Sequence, residues 1–295
     1  MARVIAVYGP TASGKSAAAL TLAAQLDAEI VNCDAMQLYA GLPVLTNQPT
    51  PEHLAQAPHH LVGVWPLSHE GSVAEYAELA RTAIDDVHGR GRDVILCGGS
   101  GLYLRAALSP LELPPAPANG VRERYQRIYD ERGAGAAHAL LAELDPAAAA
   151  AVHENDRRRV VRALELADAG ATLAPAAGTL WLEPPEGTVI LGLQVPADAV
   201  RERIEARTRA MFALGVEREV ADAIAAGPLS ATAARIHGLS DVRALLDGEI
   251  DRDEAVRRLV VRTRQYARRQ RIWMRRLPGV RPVAGPDQLL AEATA

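Results

Sequence analysis

Phenylalanine is nearly missing from this chain: Phe212 is the only one in 295 residues. The core must therefore be built from Ala, Leu, Val and Ile. Cysteine is almost as scarce. Cys33 and Cys97 are the only two, which argues against a disulfide scaffold or a cysteine zinc site and fits a reducing compartment. No apolar run reaches the ~18 residues that a membrane span needs. Met1-Ala2-Arg3-Val4-Ile5-Ala6-Val7 leads straight into a strand pattern, not into a charged, apolar and small-residue leader. A cytoplasmic protein without membrane attachment is expected. Lysine is the most telling absence. Lys15 is the only one among 32 basic residues. Lys and Arg are not interchangeable at a tight phosphate site, so the one retained lysine marks its position.

What is present is ordinary in amount and uneven in placement. Hydrophobic residues make up 49% and charged residues 23%, as in a soluble globular protein. The net charge of -4 conceals a basic element: residues 255–286 hold ten Arg and no acid, while the rest carries 22 basic and 36 acidic residues. A local stretch of +10 in an acidic chain is compatible with a nucleic-acid partner.

Patterning predicts a strand over Arg3–Tyr8, a Gly-rich turn and a helix from Ser16 to Leu26. A second strand is expected over Ala28–Asp34, a loop with room for a short helix over 40–60, a helix over Val73–His88 and a strand over Asp93–Cys97. This rhythm indicates an α/β core around a parallel sheet. Pro110, Pro114, Pro115 and Pro117 then punctuate a linker, residues 121–169 read as helices, and Pro175, Pro184 and Pro185 mark a second linker. Val189–Leu193 reads as a returning strand, followed by long helices over 197–226 and 252–276. The expected organisation is a core of 1–117 and 187–295 interrupted by a helical insertion domain, 118–186.

Gly9-Pro10-Thr11-Ala12-Ser13-Gly14-Lys15-Ser16 fits G-x4-G-K-[ST] between a predicted strand and a predicted helix. In such a P-loop the backbone N–H groups and the helix N-terminus receive phosphate oxygens. Lys15 adds a point charge, and Ser16 can reach a bound Mg²⁺. A chance Gly-rich turn is the bland alternative, and the strand–loop–helix context counts against it. The strand of residues 94–97 ends in Gly98-Gly99-Ser100-Gly101, without the acid that holds Mg²⁺ in the usual ATPase or GTPase. Asp34 ends the second strand, where parallel sheets face their ligands. It could equally cap a helix.

The ordered segments resolve this. The P-loop, then Asp34-Ala35-Met36-Gln37-Leu38-Tyr39-Ala40-Gly41, Pro58-His59-His60-Leu61 and Gly98-Gly99-Ser100-Gly101-Leu102-Tyr103, resemble the tRNA dimethylallyltransferases, also called tRNA isopentenyltransferases. Asn155-Asp156-Arg157-Arg158-Arg159, Arg203-Ile204-Glu205-Ala206-Arg207 and Thr263-Arg264-Gln265-Tyr266-Ala267-Arg268-Arg269-Gln270 extend the resemblance over nearly the whole chain. There are departures. Ser100 replaces a family Thr, Gln48 a Lys, and Leu239 and Ser240 a Tyr and a basic residue, while Gly63 stands where an Asp is frequent.

The resemblance implies attack of an adenosine N6 on dimethylallyl diphosphate, with Asp34 as general base. Lys15, the loop amides, Mg²⁺ and Arg207 would stabilise the leaving diphosphate, and Ser100 would lie near the reacting groups. It also implies tRNA contacts from Asp34, Ala35, Met36, Gln37, Ser100, Asn155, Asp156 and Arg159, with Arg264, Arg268 and Arg269 on phosphates. Asn155 or Asp156 could instead only cap a helix, and Gln37 could be plain surface. Tyr266 and Trp273, seven apart, are expected to pack in the core, and His59 and His60 to serve structure or substrate positioning. The partners implied are tRNA, through its anticodon stem-loop, and dimethylallyl diphosphate, with the protein a monomer. The rivals are a small-molecule P-loop kinase, an adenylate isopentenyltransferase and a non-catalytic RNA-binding regulator.

Overall fold

The structure, a computed structural model, describes residues 2–109, 120–173 and 182–294. The chain divides into two compact units, Met1–Pro110 with Glu183–Ala295, and Leu111–Leu182. Pro110, Pro114, Pro115, Pro117 and Pro175 of the expected linkers lie outside the described residues.

The first unit opens with β1 (Val4–Tyr8), α1 (Lys15–Leu26) and β2 (Glu29–Asn32). Two short helices follow, α2 (Pro43–Thr46) and α3 (Pro51–Gln56), where a loop with room for one short helix is expected. Then come β3 (His59–His60), α4 (Val73–Gly89), β4 (Val94–Gly98) and α5 (Gly101–Leu108). The second unit is helical: α6 (Val121–Arg132), α7 (Ala134–Leu144), α8 (Pro146–Ala151) and α9 (Arg157–Asp168). The chain re-enters the first unit with β5 (Thr188–Leu193), α10 (Ala197–Ala213), α11 (Val216–Ala225), α12 (Leu239–Leu246), α13 (Arg252–Arg276), β6 (Val280–Val283) and α14 (Pro286–Thr294).

The six strands form one sheet in the order β3-β2-β4-β1-β5-β6, and every pairing is parallel. Parallel strands covered on both faces read as unbroken apolar runs, and β1 is Val-Ile-Ala-Val-Tyr with its last four residues buried. Ile5, Val7, Leu22, Ile95 and Leu191 are each at most 1% exposed and anchor one face of the sheet. Such a side chain contributes about 1.5–3 kcal/mol by leaving water. β3 and β6 lack this signature because they are edge strands, where His-His and an internal proline are tolerated.

One expected helix is two. The apolar spacing over 197–226 is continuous, but Gly215 takes φ 86°, and α10 stops before it. Left-handed backbone suits glycine and ends a helix. The second unit has its own core around Tyr125, Leu141, Val160 and Leu164. There Glu165, 2% exposed, accepts from Arg122 Nε and Arg162 Nη1, both at 2.9 Å.

Register levels the C-terminal strand ends. Tyr8 pairs with Gly98 and Gly192, and Asn32 with Cys97. β1 lies between β4 and β5, with β2, β3 and β4 on one side of it and β5 and β6 on the other, so the strand order reverses there and places a crevice at its C-terminal end.

Candidate functional site

The segment from Gly9 to Gly14 links β1 to α1 over that crevice. Ala12 stands at φ 62° and Gly14 at φ 94°. A non-glycine residue in left-handed backbone is strained, and such strain clusters at functional sites. Alternating backbone of this kind, next to a helix N-terminus, turns N–H groups toward an anion. Ser13 Oγ is buried and has no hydrogen-bond partner among the described residues. Lys15 Nζ folds back to donate to Pro10 O at 2.9 Å. Burial lowers its ammonium below the usual lysine range. Ser16 is exposed on the first turn of α1.

Asp34 follows β2, which ends two residues earlier than its pattern suggests. Asn32 explains the early end. Its Oδ1 accepts from Asp34 N at 2.8 Å, and its Nδ2 donates to Asp34 O and Leu61 O, both at 3.0 Å. Asp34 Oδ1 then accepts from Met36 N at 3.0 Å, which makes a turn over residues 35–38, not a helix cap. Burial raises the Asp34 carboxyl above the ordinary range, against the pull of the Met36 N–H, Lys15 and Arg207.

Arg207, half-buried on α10, donates to Thr11 Oγ1 at 2.6 Å. Thr11, Asp34 and Arg207 line one cavity of about 500 Å³ with Met211, His237 and Tyr266. The rings of His237 and Tyr266 lie 5.5 Å apart. Burial, and after it Arg269, Arg262 and Arg207, lower His237 to about 4, which keeps it neutral at neutral pH. Tyr266 therefore lines the site instead of the core, while Trp273 packs on Gly101, where a Cβ would sit 2.3 Å from its ring. A second cavity of about 360 Å³ touches Ser16, Asn32, Gln37, His59 and Cys97. Burial pushes the Cys97 thiol to about 11 and raises Cys33 as well, so neither is a thiolate nucleophile at neutral pH.

The segment after Asp34 is pinned from several sides. Ala35, Met36 and Gln37 are half-buried in the turn, and Gln37 Nε2 donates to Asn47 O at 2.6 Å. Gln48 Nε2 donates to Tyr39 O at 2.7 Å, and Gly63, at φ 62°, donates to Gln37 O at 2.8 Å. Glu219 accepts from Val44 N and Leu45 N at 2.7 and 2.8 Å. Leu239 is 2% exposed and belongs to the core, and Ser240 is exposed. His60 pairs with Glu29 at 2.7 Å, and His59 Nδ1 bonds Ala57 O at 2.8 Å.

Ser100 precedes α5 and makes no side-chain cap bond. Arg264, Arg268 and Arg269 lie on the exposed side of α13. Acids reach this helix from other elements, which its own sequence could not show. Asp241 pairs with Arg262 at 2.8 Å and Glu205 with Arg264 at 3.4 Å. Arg269 sits over the Tyr266 ring, and Arg268 has no ion pair among the described residues. In the second unit Asn155, Asp156 and Arg159 cluster at the start of α9. Asp156 Oδ1 accepts from Arg159 N at 3.2 Å, so it does cap that helix. Sequence reasoning missed Asn32, Glu219, His237 and Gln270. Only Gln270 left a signal: it falls on the stripe of α13 that also buries Leu259, Thr263 and Ala267.

Comparison with known proteins gives concordant matches. The IPP transferase family model matches residues 37–277. A tRNA dimethylallyltransferase of Corynebacterium jeikeium (strain K411) is 42% identical over 281 residues, covering 93% of this chain and 89% of the relative. One of Anaeromyxobacter dehalogenans (strain 2CP-C) is 44% identical over 286 residues, covering 96% and 95%. The crystal structure of the full-length tRNA isopentenylpyrophosphate transferase of Bacillus halodurans superposes with a TM-score of 0.72 at 30% identity, covering 100% of this chain and 95% of that one.

Proposed function

This chain belongs to the IPP transferase family, and on that premise we propose that it transfers a dimethylallyl group from dimethylallyl diphosphate to N6 of the adenosine 3′-adjacent to the anticodon of tRNA. The observation that carries this reading is the single cavity shared by the Asp34 carboxylate, Arg207 and Thr11 of the Gly9–Ser16 loop. The loop acts as a P-loop for diphosphate, not for nucleotide hydrolysis. As the allylic C–O bond breaks and the N6–C bond forms, Asp34 takes the N6 proton, and a carboxyl raised by burial is a stronger base than a free one. The charge released on the diphosphate falls to Lys15, the loop amides and Arg207, preorganised at the strand ends. Ser100 borders the same strand ends.

Mg²⁺ fits this site only as an ion that arrives with the diphosphate. No group of three His, Cys, Asp or Glu side chains suited to a metal occurs among the described residues. Ser16 Oγ is exposed beside the loop, and Mg²⁺ commonly keeps waters and takes substrate phosphate oxygens. When bound, it neutralises charge on the diphosphate.

The acceptor base must leave its stack to reach Asp34. The turn of Ala35, Met36 and Gln37 receives the flipped nucleotide, while Arg264, Arg268 and Arg269 hold tRNA phosphates. Asn155, Asp156 and Arg159 of the second unit meet the anticodon stem-loop. No helix among the described residues is long and apolar enough to cross a membrane. The reading places the protein in the cytoplasm, with its tRNA substrate, as a monomer.

The test mixes protein, unmodified tRNA and labelled dimethylallyl diphosphate, with labelled ATP as a parallel donor. Label in tRNA from dimethylallyl diphosphate alone is expected. Phosphate transfer from ATP, with no prenyl transfer, would replace this reading with a kinase.

A further inference from the structure

Gln270 is the least exposed polar side chain of α13 at 3%, yet it lies in the same turns as the exposed Arg268 and Arg269. Its carboxamide bridges two strand ends. Oε1 accepts from Thr11 N at 2.7 Å, and Nε2 donates to Gly99 O at 2.9 Å. A backbone N–H can only donate and a carbonyl can only accept, so these partners fix the amide in one orientation. The Tyr8 hydroxyl completes the knot, 3.2 Å from Gly99 O and 3.3 Å from Gln270 O. Gly99 leaves no room for anything else: a Cβ there would sit 2.1 Å from Gln270 Nε2.

Two consequences follow from the geometry. The Thr11 N–H is already committed, so an anion in the loop must be held by other amides. Thr11 is also held twice, by Gln270 at its backbone and by Arg207 at its hydroxyl. Whatever moves Gln270 therefore moves the Arg207 partner and the Gly99–Ser100 turn together.

We infer that Gln270 is a positioning residue that holds the Gly9–Ser16 loop and the Gly99–Ser100 turn in register, and thereby links the arginine-bearing helix to the diphosphate site. This rests on the diphosphate reading given above. Glutamine is specified here because the position needs one acceptor and one donor at the same reach. Leucine supplies neither, and an ionised carboxylate supplies the acceptor but faces the Gly99 carbonyl with a second one. A protonated carboxyl supplies both.

The test compares wild type, Gln270→Glu, Gln270→Leu and Gly99→Ala in three measurements: affinity for inorganic diphosphate by calorimetry, affinity for tRNA by filter binding, and kcat for dimethylallyl transfer. Each is taken at pH 8 and pH 5.5 and divided by the wild-type value. The phenols beside the carboxamide, Tyr8 and Tyr266, are both raised by burial and do not titrate in this range. Gln270→Glu should lose about tenfold in diphosphate affinity and in kcat at pH 8, the effect of one buried hydrogen bond left unmade. Most of that should return at pH 5.5, because burial favours the neutral carboxyl, which supplies both the donor and the acceptor. Gln270→Leu and Gly99→Ala should show the loss at both pH values, and tRNA affinity should stay within about twofold of wild type throughout, since the phosphate-facing arginines are untouched. Gln270→Glu is nearly isosteric, so it carries the test even if Gln270→Leu does not fold. A Gln270→Glu variant equal to wild type at both pH values would overturn the inference. So would equal losses of tRNA and diphosphate affinity without recovery at pH 5.5. A wild-type protein that neither binds diphosphate nor transfers the prenyl group would instead overturn the proposed function.

Discussion

Glu29 and Asp34 sit five residues apart on one stretch of chain, at opposite ends of the sheet. Glu29 opens β2 and is 4% exposed. It accepts from Arg90 at 2.6 and 3.1 Å, from Arg92 at 3.4 Å, and it pairs with His60 at 2.7 Å. The Arg90 hydrogen bonds, and then His60, hold its carboxyl near 2 against the opposing effect of burial. Asp34 lies past the other end of the strand. It accepts from a backbone N–H, and no ion pair to it occurs among the described residues, so burial prevails and its carboxyl rises. Direct hydrogen bonds to guanidinium make a carboxylate a clamp; withholding them leaves it available as a base. The second unit repeats the first solution, with Glu165 between Arg122 and Arg162.

This contrast can be broken from either end. The largest effect is expected at Asp34: Asp34→Ala should lower prenyl transfer by about 10²–10⁴-fold, the range of a positioned general base, with tRNA affinity retained. Wild-type turnover in a single-turnover assay would remove Asp34 from the chemistry. Lys15→Ala comes next, with about 10²-fold lost from kcat/KM for the diphosphate donor, read by varying donor at saturating tRNA. An unchanged KM and kcat would detach the lysine from the donor.

Glu29→Ala should behave in the opposite way. Transfer per folded molecule should be unaltered, while urea unfolding reports a loss of about 2–3 kcal/mol. The sign of its pH dependence follows from the depressed pKa. The stabilisation is complete above the unfolded value of 4.5 and disappears as pH falls toward 2. A flat stability profile over that window, with no loss on substitution, would deny the clamp. The smallest effect at physiological salt is expected from changing Arg268 and Arg269 together to Ala. The slope of log affinity for tRNA against log salt should flatten by about two units if each meets one phosphate. A slope equal to wild type would take α13 off the tRNA.

The sheet was legible where its strands are buried on both faces. The residues of β1, β4 and β5 are apolar runs bounded by glycine or proline, and no other reading fits them. The edge strands β3 and β6 were not legible, because an edge tolerates His-His and Val-Arg-Pro-Val. The break at Gly215 was visible as a glycine but masked by apolar spacing on both sides. At the site, the loop could be found from its spacing, a local pattern, whereas the strand end alone left Asp34 open between a ligand carboxylate and a helix cap, and the family resemblance decided it. Asn32, Glu219 and Gln270 could not be assigned, because each acts through a backbone group distant in sequence or through a turn whose shape spacing does not encode. The acids that meet α13 were hidden for the same reason: Glu205 and Asp241 belong to α10 and α12.

The most direct measurement is the pH dependence of prenyl transfer at saturating tRNA and dimethylallyl diphosphate, for wild type and Asp34→Asn. A base must be ionised, and burial raises this one, so wild-type kcat should climb with pH along an acid limb above the ordinary carboxylate range. Asp34→Asn should be slow at every pH and lack that limb. A wild-type profile without an acid limb, or an Asp34→Asn variant that keeps the limb at wild-type rate, would contradict Asp34 as the group that takes the proton.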